Sequence, residues 1–327
     1  MDEKIKEILD QYELEVKGVC RVRGAYVFDT NGGMRILREF RSTDTKAELA
    51  QQVKEHLEKQ GCFKVDLYER NKEGKLITET AMGNRYVLKR WFKGEDCDLK
   101  KMEHVELAAR HLAKLHKAMC HVTETPLVFQ ADTFQERFLK HNRELRRVRS
   151  YIKDKKQRNE FELLFLSVFS EFYQEAEAAE EQLKKIDVAQ LYEKVTADQT
   201  MCHGSYNYHN LIVTKSGMAT GNFEKTHLQL QVMDLYEFVR KLMEKTSWNF
   251  DVLKRVISSY EKEKPLTPEE KQVLRVSLLY PEKFWKISNY YINNKKTWMS
   301  GKKIDKIQRL QQQKNSRRLL LERLEEI

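Results

Sequence analysis

Apolar residues recur along this chain with two different periods, and the change of period divides it. Ile5, Ile8 and Leu9 share one face of a short helix predicted for Met1 to Tyr12. Gly18 to Phe28 alternates instead, with Val19, Val22 and Tyr26 to Phe28 around Gly24, and Asn31-Gly32 is a hairpin signal before Met34 to Phe40. Two antiparallel strands are expected there. Thr45-Lys46-Ala47-Glu48 has the form of a capping box, opening a helix through Leu49, Val53 and Leu57 that Gly61 ends. Alternation returns in Phe63 to Glu69 and Leu76 to Thr80, on either side of a turn at Asn71 to Gly74, and Arg85 to Phe92 makes a last strand before Gly94. Up to about residue 93 the predicted order is helix, two strands, helix, three strands.

Beyond that point the period is helical. Lys101 to Ala118 sets Val105, Ala108, Leu112 and Leu115 on one face. Phe134, Phe138, His141, Leu145, Val148 and Ile152 recur at three and four, as do Phe161, Phe165, Val168, Phe172, Ala176, Ala179 and Leu183. Between Lys140 and Arg158 nine Lys or Arg meet two Asp or Glu. A solvated helix face accounts for that cluster, with an anion-binding surface as the alternative. Short β-like runs interrupt at Met201 to Thr214 and Leu228 to Asp234, around turns at Ser216-Gly217 and Thr220-Gly221-Asn222, and helices resume at Tyr236. The pattern is α+β: a small antiparallel-sheet lobe with one long helix over residues 1–93, then a large, mainly helical part over 94–327 containing the loop segment 201–235.

Composition supports this division. The chain has 327 residues with 12 Gly and 4 Pro, where average usage predicts roughly 39 of the two together. So few breakers exclude collagen-like and low-complexity readings and disfavour an all-β barrel. A chain of this length supports two cores. Sixty Lys and Arg against 50 Asp and Glu give a net charge of +10 with both signs interleaved, so phosphorylated ligands, anionic lipid and nucleic acid stay open as partners without being demanded. The charged first ten residues have no apolar core of a signal peptide, and no run approaches a membrane span, so synthesis in the cytoplasm without export is expected. Five widely spaced cysteines without a CxxC pair read as free thiols.

The most informative stretch is Cys202-His203-Gly204-Ser205-Tyr206-Asn207-Tyr208-His209-Asn210-Leu211-Ile212-Val213, followed by Val232-Met233-Asp234-Leu235. It resembles the H-G-D-x-x-x-x-N catalytic loop and later metal-binding Asp of the aminoglycoside phosphotransferase and choline kinase branch of the protein-kinase-like fold. The resemblance implies a bilobal fold and, as cofactors, ATP and magnesium. Phosphoryl transfer is mostly positioning and charge neutralisation, needing one carboxylate at the acceptor hydroxyl and further oxygens on the metal. On this resemblance Asn210 and Asp234 hold magnesium, His203 braces the loop, and position 205 carries the catalytic carboxylate, which here is Ser205. Arg38 stands where the family has a phosphate-binding Lys, with Glu48 as its expected partner and Glu55 as the second candidate. A guanidinium presents a wider fork than an ammonium, so that exchange is not conservative. Gly18 to Gly24 has two glycines and no G-x-G-x-x-G.

A closer resemblance runs through nearly the whole chain. Tyr86-Val87-Leu88 to Gly94-Glu95-Asp96-Cys97-Asp98, Leu112-Ala113-Lys114-Leu115-His116, Asp234 to Lys245, and Tyr280-Pro281-Glu282-Lys283-Phe284-Trp285-Lys286 are similar to CotS-type spore-coat proteins of endospore-forming bacteria. That implies a spore-coat location and coat-protein partners. Three functions follow as expectations: a kinase-like coat protein impaired in catalysis, since an alcohol at position 205 cannot take a proton near pH 7; an active small-molecule phosphotransferase; or a basic polyanion binder, with nucleic acid the weakest of these partners. His111 and His116 read as packing or surface residues, and Tyr206, Tyr208 and His209 as either acceptor-facing or core. The aromatic run Phe284, Trp285, Tyr290, Tyr291 and Trp298 beside Lys286, Lys295 and Lys296 reads as a buried helix face. Lys302 to Ile327 reads as one docking helix.

Overall fold

The first alternating run is two strands. A computed structural model describes residues 3–22, 24–129, 132–294 and 301–326, with Lys302 as backbone only. After α1 (Glu3–Leu9) come β1 (Val16–Val22), β2 (Ala25–Thr30) and β3 (Gly33–Glu39). Gly24 at φ +77° and Gly33 at φ +95° take the left-handed backbone that such tight reversals need. Three strands therefore precede the long helix α2 (Asp44–Lys59), one more than the pattern predicted. Then follow β4 (Lys64–Val65), β5 (Thr78–Glu79), β6 (Arg85–Arg90) and β7 (Glu95–Asp96). An antiparallel sheet forms in the order β1-β2-β3-β6-β5. On one of its faces Phe28, Leu37 and Leu88 pack with Ile5, Ile8, Leu9 and Tyr12. The opposite face carries Ala25, Val27 and Ile36, with Val22, Met34 and Trp91 against them. Lys89 pairs with Ile36 and Arg38 with Val87, so the strand alternation turns both cations to this second face.

The remaining elements are α3 (Met102–Ala118), α4 (Phe134–Lys153), α5 (Glu160–Leu183), α6 (Val188–Ala197), β8 (Met201–Cys202), β9 (Leu211–Thr214), β10 (Gly217–Thr220), β11 (His227–Leu228), α7 (Val232–Met243), α8 (Phe250–Glu261), α9 (Pro268–Leu279), α10 (Glu282–Asn293), α11 (Gly301–Gln312) and α12 (Lys314–Glu322). A second sheet runs β4-β10-β9-β7, and β8 pairs with β11. Gly94 makes the β7 pairing possible: a Cβ there would stand 2.2 Å from the Val213 carbonyl oxygen.

Two compact units result: Met1–Val128 with Val195–Phe238 and Ser259–Lys264, and Phe129–Lys194 with Val239–Ser258 and Pro265–Ile327. They do not follow the boundary expected at residue 93. Strand pairing is the reason, since β4 and β7 hydrogen-bond to the 211–220 hairpin and draw the whole loop segment into the first unit.

In the second unit α4 and α5 begin with full capping boxes, Thr133 with Glu136 and Asn159 with Glu162. Phe284 of α10 stacks on Phe165 and Phe172 of α5, and Tyr291 is buried. Trp298, Lys295 and Lys296 lie outside the described residues. Within the basic cluster Arg146 donates to Tyr173, Lys155 pairs with Glu162, and Arg158 donates to the Ile152 carbonyl, while its members other than Lys155 stay exposed. The C-terminal segment is two helices rather than one, breaking at Gln313, with Ile307, Leu320 and Leu324 buried. No helix among the described residues is long and apolar enough to cross a membrane.

The start of α2 also differs from its sequence reading. Thr43, not Thr45, is the N-cap, its hydroxyl accepting from Lys46 N at 3.3 Å. Asp44 already has helical backbone, which places Thr45 inside the first turn and Glu48 beyond reach of a capping role. Thr43→Ala is therefore expected to lower stability by about 1 kcal/mol. Thr45→Ala is expected to be neutral or slightly stabilising, because Ala is the better helix former. Urea denaturation of the two variants checks this.

Candidate functional site

The loop after β8 is held from behind by a buried carboxylate. Asp234, near the start of α7, accepts from His203 N at 2.5 Å and Gly204 N at 2.9 Å, one bond on each oxygen. His116 stands on the same carboxylate at 3.5 Å and bonds the Tyr260 hydroxyl at 2.7 Å with its other nitrogen. Burial alone would raise the Asp234 carboxyl, yet the His116 hydrogen bond, the nearby histidines and the loop amide lower it below the ordinary value. A charge that accepts from backbone amides is worth more than a neutral acceptor. Gly204 sits at φ +71°, and a Cβ there would lie 2.1 Å from the Lys225 carbonyl oxygen. Only glycine fits.

His203 is fully buried and bridges the loop internally. Its Nδ1 accepts from Ser205 N at 3.1 Å, and its Nε2 lies 3.1 Å from the Gly221 carbonyl. An accepting Nδ1 and a donating Nε2 define a neutral imidazole. Burial lowers its pKa against the pull of Asp234, consistent with that state. The loop-bracing role expected of His203 is thus shared with Asp234.

In front of the loop runs a chain of hydrogen-bonded amides. Asn210 Nδ2 donates to the Ser205 carbonyl at 2.8 Å and lies 3.3 Å from its hydroxyl. Asn210 Oδ1 accepts from Asn222 Nδ2 at 2.7 Å, and Asn222 Oδ1 accepts from Lys89 Nζ at 3.3 Å. The two ends dictate the direction. An ammonium can only donate and a carbonyl can only accept, so each amide between them is oriented oxygen toward Lys89 and nitrogen toward Ser205. One lone pair of the Asn210 oxygen is thereby committed to Asn222.

Lys89 belongs to a cluster of four charges, of which Lys54, Asp66 and Lys89 are buried and Glu224 is partly exposed. Asp66, with no exposed side-chain surface, pairs with Lys54 at 3.1 Å and Lys89 at 3.3 Å and accepts from Asn222 N at 2.9 Å. Lys54 also donates to the Asp66 carbonyl at 2.9 Å and stands 3.5 Å over the Tyr68 ring. Lys89 is further bonded to Glu224, which accepts from the Tyr68 hydroxyl at 3.0 Å. Burial pushes Lys54 down to about 8. For Lys89 burial acts downward too, but Asp66 and Glu224 outweigh it and raise the pKa above that of a free lysine. Burial would raise Glu224, and Lys89 and Lys54 hold it instead well below the usual carboxylate range.

The residues singled out in the sequence thus separate. His203, Ser205, Asn210 and Asp234 come together, while Arg38 and Glu48 do not. Arg38 lies over Trp91, 5.9 Å from the ring, with its buried Nε lacking a hydrogen-bond partner. Glu48 is half-exposed and faces Arg70 at 3.5 Å, and Glu55 accepts from Gln51. Neither acid meets Arg38. Asp234 is turned to the loop backbone, and the side chain facing Asn210 is Asn222. Magnesium prefers carboxylate and water oxygens. An amide carbonyl facing an ammonium, a second amide already bonded, and Ser205 do not fit it. Among the described residues no three His, Cys, Asp or Glu gather as a metal set. Tyr206 is core, its hydroxyl donating to the Ala108 carbonyl, and His111 and His116 are both buried.

Sequence reasoning passed over Asn222, Glu224, Lys89, Asp66 and Lys54. One signal was present for Lys54: Ala47, Ala50, Gln51 and Lys54 fall on one helical stripe, which puts a lysine on the buried face of α2.

Comparison with known proteins agrees with this architecture. The family model described as "Spore coat putative kinase YutH" matches residues 5–324. Over 154 residues the chain is 27% identical to spore coat protein S of Bacillus subtilis (strain 168), a match covering 45% of this chain and 43% of that protein. The chain therefore spans less than half the length of that curated relative. A solved aminoglycoside phosphotransferase from Alicyclobacillus acidocaldarius superposes with a TM-score of 0.84 at 17% identity, over 98% of this chain and 95% of the other. The AMP-bound spectinomycin phosphotransferase APH(9)-Ia gives a TM-score of 0.67 at 13% identity, over 94% of each chain. At these identities the structures establish the fold alone: α+β and kinase-like, with an N-terminal antiparallel sheet and a helical C-terminal part.

Two outcomes follow from the loop geometry. Gly204→Ala combines a disallowed backbone with a clash, and loss of about 3 kcal/mol or more is expected in chemical denaturation. The second concerns pH. His111 Nε2 lies 2.8 Å from the Thr220 hydroxyl, and burial, with Lys114 and His203 nearby, pushes its pKa down to about 3. Its unfolded value is about 6.5. The folded state then binds fewer protons than the unfolded state between those values, so stability is full above pH 6.5 and falls as pH drops through the window. The slope approaches about 1.4 kcal/mol per pH unit for this group. Denaturation at pH 7.5 and pH 5 measures the fall, and His111→Gln is expected to reduce it.

Proposed function

This chain belongs to the YutH family of kinase-like spore coat proteins, and from that premise we infer that it acts in the coat by binding and assembly, without efficient phosphoryl transfer. One observation carries the reading: Ser205 stands where the family resemblance asks for a carboxylate base, and Asp234, which it asks for on the metal, is hydrogen-bonded to the loop amides instead, so that Asn210 faces Asn222. A general base contributes two to four orders of magnitude, and loss of the metal's charge neutralisation adds to that. Asp234, the one acid retained in the motif, spends both oxygens on the loop backbone. The loop keeps its shape without the groups that do the chemistry, which is what a binding module on this fold needs. Partners among coat proteins are part of this inference, as is a retained capacity for nucleotide, supported by fold neighbours solved with AMP.

The reading of an active small-molecule phosphotransferase rested on Asn210 and Asp234 as metal ligands, and their hydrogen bonds give it no support. The basic polyanion reading has only the exposed cations of the Lys140 to Arg158 cluster behind it, and no group of the loop speaks for it.

Incubation of the purified protein with magnesium, labelled ATP and a panel of hydroxyl and amine acceptors is expected to give no product above background. Turnover abolished by Asn210→Ala would overturn the reading. Pull-down from coat extract with the intact protein tests the binding half, and failure to retain any coat protein would overturn it.

A further inference from the structure

The oxygens around Lys89 form a shell of the kind a divalent cation takes. Asp66 Oδ2 lies 3.3 Å from Nζ, Asn222 Oδ1 3.3 Å, and Glu224 Oε1 is hydrogen-bonded to it. Two carboxylates and an amide carbonyl, from the segment after β4 and the segment after β10, converge on one point. Hard oxygen donors of this sort hold calcium or magnesium elsewhere. Here an ammonium from β6 sits at the centre with 1% of its side chain exposed. Asn222, at φ +67°, belongs to the turn that brings its own amide and the Glu224 carboxylate to the same place.

We propose that Lys89 is the resident cation of this site, replacing a divalent metal with a covalently attached charge. Its charge offsets part of that of Asp66 and Glu224, and Lys54 supplies the rest, so the four-charge cluster is neutral and complete without an ion. Lys89 also orients Asn222 and, through it, Asn210, so the polar order that a metal would impose on the loop is built into the chain. The protein would then need no divalent cation for stability or for holding its loop. This rests on the functional reading above, in which the loop around Asn210 works without a metal. It is separable from the question of catalysis, because its test uses neither nucleotide nor acceptor.

Manganese binding, read from the free-ion signal in electron paramagnetic resonance, and the thermal midpoint with millimolar MnCl2 provide that test. The wild-type protein is expected to leave the free manganese signal undiminished and to show no shift of its midpoint. Asn222→Asp, which adds a carboxylate but leaves Lys89 in place, is expected to behave the same way. Lys89→Met with Asn222→Asp removes the ammonium and should bind one manganese at least about tenfold more tightly than either parent, with a midpoint raised by the metal. Adding Glu224→Gln should reverse that gain. One equivalent of manganese bound by the wild type and lost in Glu224→Gln overturns the proposal, as does stoichiometric binding by Asn222→Asp with Lys89 intact. The first two proteins decide the matter even if the lysine variant fails to fold. Manganese binding by the wild type without ATP turnover would sink this proposal alone, whereas turnover by a protein that binds no manganese would sink only the functional reading above.

Discussion

Asp66 is the carboxylate on which the first unit depends. It gathers Lys54 from α2, Lys89 from β6 and the backbone amide of Asn222, three segments with no sequence proximity. Taking even one ion from water to the interior costs several kcal/mol, and removing a partner from a buried pair typically costs about 3–5 kcal/mol. Such a group persists only when every lone pair and proton has a counterpart. The cluster approaches that demand with two acids and two lysines, and with Tyr68, whose hydroxyl donates to Glu224 and whose ring lies beneath Lys54, while Asp66 Oδ1 is held by its ion pair with Lys54 without a hydrogen bond. Electrical neutrality, more than attraction within any one pair, is what makes the arrangement tolerable.

The catalytic-type loop is supported from its other side by a second buried acid, with different consequences. Asp234 bonds backbone amides, so it fixes the path of the chain and is indifferent to which side chains that path displays. Loop geometry and loop chemistry are therefore decoupled. Position 205 carries Ser without disturbing the bonds that Asp234, His203 and Gly204 make. The fold shared with phosphotransferases at 17% identity or less is thus held by backbone bonds that do not depend on the side chain at position 205.

Local pattern made much of the architecture legible. The amphipathic helices α4 and α5 announce themselves by spacing and by Thr133 with Glu136 and Asn159 with Glu162, because capping and periodicity are local physics. Short-range ambiguity explains the smaller misreadings. Thr43 and Thr45 are both plausible caps, and only the backbone at Asp44 decides between them. Gly24 reads equally as an interruption within a strand and as a reversal between two. The site was harder. Arg38 lies on the strand face that also carries Lys89, while Glu48, its expected partner, faces solvent and Arg70, since the register of a helix against a sheet is set by packing that no motif encodes.

The sequence by itself determined the kinase-like order of elements, the loop from His203 to Asn210, and the absence of an acid at position 205. Those are matters of period, spacing and residue identity. Tertiary structure decided what Asp234 does and what faces Asn210. It also decided where the buried charges go, because Lys54, Asp66, Lys89 and Glu224 are scattered over 171 positions and acquire meaning only when folding brings them within hydrogen-bond distance. Charges in a chain are cheap while solvated. Burial is what forces each one to find its partner, and burial is a property of the fold.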